Sequence, residues 1–145
     1  MSEGKVLGLF ISCNNQTGRT EQEQLQLDEN GIINDKFYAK NIDRSILITS
    51  KHSYDMAKER SIDIEYGYLG ENILIDINPY NLSSGDKVEI ADVVLEITDN
   101  CTICNSLAKV DTALPKLLAD DRGIFAKTLK GGNIRKGDIV KISKY

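Results

Sequence analysis

The chain has 145 residues, of which 41% are hydrophobic and 28% charged, as in an ordinary globular domain. Its 18 basic and 22 acidic residues give a net charge of -4, which argues against DNA or RNA as the main partner. No apolar run approaches the roughly 20 residues that span a bilayer, and the N-terminus lacks a signal-peptide pattern. We therefore expect one cytoplasmic domain, residues 1–145, with no membrane partner.

The N-terminal half contains short strand patterns separated by turn residues. Ser50 is a typical N-cap, and the pattern after it predicts a helix to about Arg60, with Tyr54, Ala57 and Met56 facing inward. The predicted strands are residues 6–12, 24–28, 42–49 and 73–75, with a tight turn at 29–31.

The C-terminal half contains two similar units, residues 83–90 and 135–142, in which a Gly-Asp turn opens a strand. Strands that repeatedly re-enter at one rim are typical of a barrel. A helix is predicted at 106–119, and a strand at 123–129 that turns at 130–133 into the last strand. The sequence thus predicts a mostly-β fold: a small closed or nearly closed β-barrel of about seven or eight strands, with about two short helices.

The most informative stretch is residues 93–107, where a strand leads to two thiols. The strand is predicted at 93–98, the pair Asp99-Asn100 is predicted to turn, and Cys101 and Cys104 follow. A reactive group at the end of a strand has a rigid support and stays open to solvent.

The spacing of Cys101 and Cys104 is compatible with several chemistries. A four-ligand zinc site would require both of them together with Cys13 and His52, which are the other cysteine and the histidine of the chain. A thioredoxin-like dithiol needs a βαβ context that the pattern lacks. A single nucleophilic or metal-ligating thiolate fits better, an exposed loop remains open, and Cys13 is expected near the core.

Polar residues elsewhere have an ordinary interpretation when taken singly. Glu71 and Asn72 begin a strand, and composition alone favours a turn at Gly70 with a solvated Glu71 carboxylate. Asp35 and Arg44 look like common surface charges.

Taken together, the motifs resemble the MOSC domain, which is named for the C-terminal part of molybdenum cofactor sulfurases. The small stand-alone bacterial members are the most similar in kind, although they usually carry a histidine where Phe37 stands here, and Cys101 is an extra thiol. The residues that carry the resemblance are 70–73, 84–90, 94–98 and Cys104, then 122–126, 131–132 and 136–138, and more loosely 31–35 and 44–48.

The resemblance implies a barrel like that of the pyruvate kinase barrel domain, and sulfur or molybdenum-cofactor chemistry. Cys104 would either carry sulfur as a persulfide or ligate molybdenum in a pterin cofactor, with Cys101 as an accessory thiol. Glu71, Asn72 and Asp35 would shape the cofactor pocket, and Arg44 or Arg122 would bind a cofactor phosphate.

The resemblance also implies partners. The sulfur would come from a separate pyridoxal-phosphate-dependent cysteine desulfurase, and a separate molybdoenzyme is the alternative partner. Molybdoenzyme-type reductase activity of this chain would need external electron donors. The alternatives are a binding or regulatory barrel without turnover, and a CxxC dithiol redox protein.

We predict that Cys104, rather than Cys101 or Cys13, reacts first with limiting iodoacetamide at neutral pH. Amides at the start of the predicted 106–119 helix, with Lys109 or Arg122 nearby, would lower the thiol pKa below the free value of about 8.5. The Asp99 carboxylate would oppose ionisation of Cys101. Peptide mass spectrometry quantifies each site, and equal labelling of Cys101 and Cys104 would indicate a dithiol pair instead.

Overall fold

A computed structural model of the chain describes residues 2–12, 20–36, 38–67, 71–100 and 123–143. These residues form eleven strands, one α-helix, α1 (Lys51–Glu59), and one 3-10 turn, Ile42–Arg44. The strands are β1 (Ser2–Ile11), β2 (Thr20–Gln22), β3 (Gln24–Asp28), β4 (Gly31–Ile32), β5 (Ile46–Ser50), β6 (Ile73–Ile75), β7 (Lys87–Ile90), β8 (Val93–Asn100), β9 (Ile124–Lys130), β10 (Gly132–Arg135) and β11 (Ile139–Ser143).

Seven strands close into a barrel in the order β1–β11–β7–β8–β9–β5–β6 and back to β1. Neighbouring strands are antiparallel except β5 and β6, which are parallel and joined by α1 as a crossover. The ring closes at β1, whose first residues pair with β11 and whose later residues pair with β6. The small sheet β10–β3–β4 is separate. The predicted fold class, a closed mostly-β barrel, is confirmed.

Apolar side chains at alternate strand positions fill the barrel. In β9, for example, Ile124 and Ala126 are buried, whereas Phe125 and Lys127 are only partly buried. A second apolar cluster lies outside the barrel and brings α1 against β1 and β6. Its buried members are Phe10, Tyr54, Ala57, Ile62 and Leu74.

The outer face of the strands not covered by α1 carries charges of alternating sign. Opposite charges on adjacent strands attract each other across the sheet, and this pattern is typical of a surface that faces water. Two such rows follow the strand register: Glu3–Lys141–Glu89 and Lys87–Glu96–Lys127.

The predicted first helix is confirmed. The Ser50 hydroxyl accepts a hydrogen bond from the His52 amide at 3.1 Å, as an N-cap should, and Tyr54 and Ala57 are buried. The predicted helix at 106–119 lies outside the described residues. Within the described residues, no helix combines the length and apolar character needed to cross a bilayer.

Two predicted turns are wrong, and more strands form than expected. Asp99 and Asn100 belong to β8, because they pair with β9 up to the Asn100–Ile124 position. The predicted turn at 130–133 is also wrong, since β9 continues to Lys130 and β10 already begins at Gly132. In both places the hydrogen bonds of a strand pair override the local preference for a turn.

The two Gly-Asp units fold alike and lie side by side, because β7 pairs with β11. Asp86 accepts a hydrogen bond from the amide three residues earlier at 2.8 Å, and Asp138 does the same at 2.7 Å. The glycines before them have positive φ angles, 98° at Gly85 and 89° at Gly137, which glycine adopts without strain.

These turns predict a measurable asymmetry in stability. Asp86 is buried, whereas the hydrogen bond of Asp138 is exposed to water, which can replace the lost carboxylate. Asp86→Ala should lower the free energy of unfolding by about 1–3 kcal/mol, and Asp138→Ala by about 1 kcal/mol or less. Urea unfolding of the two variants measures the difference. Equal losses, or a larger loss for Asp138→Ala, would contradict this account.

Candidate functional site

Asn72 joins strands β1 and β5 at the start of β6. Its backbone amide donates to the Leu47 carbonyl and its carbonyl accepts from the Phe10 amide, both at 2.8 Å. Its side chain repeats the connection: Oδ1 accepts from the Leu47 amide at 3.0 Å, and Nδ2 donates to the Phe10 carbonyl at 3.2 Å. The buried carboxamide therefore substitutes for a stretch of β-ladder on both sides of a three-residue strand.

Glu71 is fully buried, so the expectation of a solvated carboxylate is wrong. Its Oε2 accepts hydrogen bonds from the Tyr54 hydroxyl at 2.6 Å and from the Gly67 amide at 3.1 Å. Tyr54 thus links α1 to the chain just before β6. The ring of Tyr66 packs edge-on against Tyr54, with centroids 5.0 Å apart.

Asp35 is also buried rather than an ordinary surface charge. Its Oδ1 accepts a hydrogen bond from the Ser12 amide at 2.7 Å, while the Lys36 amide donates to the Ser12 carbonyl at 2.8 Å. Asp35 and Asn72 therefore hold the same structure, the C-terminal end of β1.

Tyr38 holds the segment after Asp35 against the β3–β4 hairpin. Its hydroxyl donates a hydrogen bond to the Asp28 carboxylate, and this bond is the main reason that the pKa of Tyr38 lies above its ordinary value. The Ala39 amide also donates to the Asn30 carbonyl at 2.9 Å. This segment leads directly to the 3-10 turn that carries Arg44.

The Arg44 side chain, from the 3-10 turn, contacts strand β8 at Asp99, two residues before Cys101 in the chain. Its Nη2 is 3.3 Å from Oδ2 of Asp99, and its guanidinium carbon is 5.0 Å from the centre of the Phe125 ring. The side chain is 53% exposed. The ion pair also offsets the Asp99 charge that was expected to oppose ionisation of Cys101.

The structure divides the predicted pocket residues into two groups. Asn72 lies beside Leu47, Leu47 pairs with Phe125, and Phe125 pairs with Asp99. Three strand spacings separate Asn72 from Asp99, which corresponds to about 14 Å across the sheet. Glu71, Asn72 and Asp35 thus lie near the C-terminal end of strand β1, and Arg44 lies near the C-terminal end of strand β8.

Several predicted residues, namely Cys13, Cys101, Cys104 and Arg122, lie outside the described residues, and their roles stay predictions. His52 is described and exposed on α1. Within the ranges that the structure describes, no three His, Cys, Asp or Glu side chains cluster as metal ligands would.

The clefts that described residues line include two small ones. One, of about 190 Å³, lies beside the end of β8 and is lined by Leu82, Ser83, Ser84, Ile97, Thr98 and Asp99. The other, of about 220 Å³, lies beside the end of β1 and is lined by Ile11, Gln22, Gln24, Leu25, Gln26, Ile33 and Asn34. Pockets for cofactor-sized ligands usually measure about 300–1,000 Å³.

Sequence reasoning missed the partners that hold these residues. Tyr54 was expected to face the core, but nothing in the sequence linked its hydroxyl to Glu71. Phe125 lies within the C-terminal motif, yet its contact with Arg44 joins positions 81 residues apart in the chain. Side-chain pairs of this kind depend on which residues of distant segments face each other, whereas the apolar pattern fixes only the side of the sheet on which each residue lies.

We predict that Asn72→Ala destabilises the barrel. It leaves the Leu47 amide and the Phe10 carbonyl without their side-chain partners, at about 1–3 kcal/mol for each buried group. Urea unfolding measures the loss, and Asn81→Ala, at an exposed position, is the control. A folded, equally stable Asn72→Ala protein would show instead that Asn72 is free to serve a ligand.

Comparisons with known proteins agree with the architecture. The YuaD protein from Bacillus subtilis superposes with a TM-score of 0.85 at 17% identity, covering 99% of this chain and 97% of its own. YiiM from Geobacillus stearothermophilus gives 0.72 at 15% identity, over 97% of this chain and 73% of its own. YiiM from Escherichia coli gives 0.73 at 15% identity, over 100% and 71%.

At these identities the structural similarity shows the fold alone, and no curated protein matches the chain. The family is shown by the sequence itself. The model of the MOSC domain matches residues 22–141, which is most of the chain. The expected resemblance is confirmed, and the chain belongs to the MOSC domain family.

Proposed function

We propose that this MOSC protein carries sulfur as a persulfide on Cys104. The observation that carries the proposal is the β8–β9 pair, which stays hydrogen-bonded up to Asn100 and Ile124. The segment with both CxxC thiols therefore starts and ends at neighbouring positions of one strand pair. Cys104 follows Asn100 by four residues, a length of chain that reaches at most about 14 Å.

The contacts of the described residues favour sulfur carriage over a molybdenum–pterin cofactor. The two clefts described above are smaller than usual cofactor pockets. Two of the expected pocket residues, Asn72 and Asp35, accept side-chain hydrogen bonds from backbone amides, those of Leu47 and Ser12. We therefore assign no step to that cofactor, and molybdenum ligation by Cys104 stays a prediction.

Sulfur transfer at a thiol makes smaller demands on the protein. The Cys104 thiolate attacks the terminal sulfur of a donor persulfide, R–S–SH. A new S–S bond forms on Cys104, the donor S–S bond breaks, and the donor leaves as the thiolate R–S⁻, so there is no net oxidation or reduction. In the reverse sense, an acceptor thiolate takes the terminal sulfur and Cys104 leaves as the thiolate.

A carrier of this kind needs a donor and an acceptor. The donor class is a cysteine persulfide, which we propose is formed on a separate pyridoxal-phosphate-dependent desulfurase. A binding or regulatory barrel would take up no sulfur, and a dithiol redox protein would form a Cys101–Cys104 disulfide and release the sulfur as sulfide.

The test is to treat the reduced protein with a cysteine persulfide donor and to measure the intact mass. We expect wild type to gain one sulfur atom and Cys104→Ser to lose most of that gain. Cys13→Ser, the matched control, should gain sulfur like wild type. A Cys104→Ser variant that gains sulfur as readily as wild type would refute the proposal.

Two further outcomes assign the alternatives. Loss of two hydrogens without added sulfur, abolished by Cys101→Ser, would indicate the dithiol. Near-stoichiometric molybdenum in protein purified from a cofactor-competent host, lost in Cys104→Ser, would indicate cofactor binding instead of sulfur carriage.

A further inference from the structure

The last residues of β8 contact the 3-10 turn Ile42–Arg44. This turn precedes β5, which pairs with β9 on the side opposite to β8. The register between β8 and β9 shifts between Ile97 and Asp99, so β8 contains a bulge there. A bulge adds one residue and redirects the side chains that follow it. Here it places Asp99 opposite Phe125, whose ring is on the outer, partly exposed side of the barrel.

The 3-10 turn Ile42–Arg44 makes two contacts with this bulge and one with the facing residue of β9. The Thr98 hydroxyl donates a hydrogen bond to the Asp43 carbonyl. The Arg44 guanidinium bonds to the Asp99 carboxylate at 3.3 Å and stacks over Phe125 at 5.0 Å. We call Asp43, Arg44, Thr98, Asp99 and Phe125 the rim clamp.

We propose that the rim clamp fixes the direction in which β8 leaves the barrel, and that Arg44 is a positioning residue for sulfur transfer at Cys104. The inference rests on the proposed function. Two of these contacts are made to Thr98 and Asp99, the last two positions of β8 before Asn100, and the third is made to Phe125, which lies opposite Asp99 in β9. Cys104 follows Asn100 by only four residues, and misplacement of a reacting group by about 1 Å slows a reaction strongly.

The contacts of Arg44 argue against the phosphate-binding role expected for it. Its guanidinium faces an acidic partner and an aromatic ring, and the carboxylate opposes binding of a further anion nearby. Arginine is suited to the clamp because its planar group stacks and hydrogen-bonds at once, which a lysine ammonium does not do. Both partners of the ion pair are more than half exposed, so its effect on global stability should be small.

Lys127 provides a matched control on the same strand pair. Its ammonium is 3.2 Å from Glu96, on the same outer face of β8 and β9 as the rim clamp. Lys127→Gln removes an ion pair of similar length from these strands without affecting the bulge. The comparison variants are Arg44→Gln, Arg44→Lys and the charge swap Arg44→Asp with Asp99→Arg.

The experiment measures single-turnover sulfur uptake against the concentration of the cysteine persulfide donor. For Arg44→Gln we expect the maximal rate to fall about tenfold, with the half-saturating concentration unchanged. Arg44→Lys should lie between Arg44→Gln and wild type, the charge swap should restore part of the rate, and Lys127→Gln should match wild type. An unchanged maximal rate with a raised half-saturating concentration would mean that Arg44 recognises the donor, which overturns the clamp.

A second measurement separates the clamp from the proposed function. Hydrogen exchange at the amides of 98–100 and 124–125 should speed up in Arg44→Gln and stay at the wild-type rate in Lys127→Gln. This result would support the clamp even if wild-type protein took up no sulfur at Cys104. Unchanged exchange in Arg44→Gln would overturn the clamp while leaving sulfur carriage by Cys104 intact.

Discussion

The hydrogen bonds of Asn72 join three strands, and the arrangement of the whole barrel depends on this junction. β6 has only three residues, so it offers few ladder hydrogen bonds to β1 and β5. The Asn72 side chain adds hydrogen bonds to Phe10 in β1 and to Leu47 in β5. Because β5 also pairs with β9, the register set here is passed on to the end of β8.

This continuity explains how residues distant in sequence come to support one end of the barrel. From Asn72, the row of paired residues runs through Leu47 and Phe125 to Asp99. A slip of β9 by one residue would turn Phe125 inward and remove the ring over which Arg44 lies. The stability of the junction and the geometry of the rim clamp are therefore linked.

Two parts of the barrel wall differ in what covers their outer side. β5 and β6 are buried along their whole length, because the barrel core lies on one side and α1 with its apolar cluster lies on the other. The remaining strands carry alternating charges toward water. In the chain, the segment with the thiols follows the last residue of β8 and precedes β9, two strands outside the part of the wall that α1 covers.

The sequence by itself determined the barrel, most strand positions, the α1 cap and the family. Each rests on local chemistry: period-two apolar patterns, a serine N-cap and Gly-Asp turns. Only the tertiary structure decided that Asp99 and Asn100 are strand residues, that Glu71 and Asp35 are buried, and that Arg44 contacts Asp99. These outcomes depend on strand register and on burial by distant segments, since a carboxylate beside a turn is solvated or buried according to what packs over it, which no local pattern records.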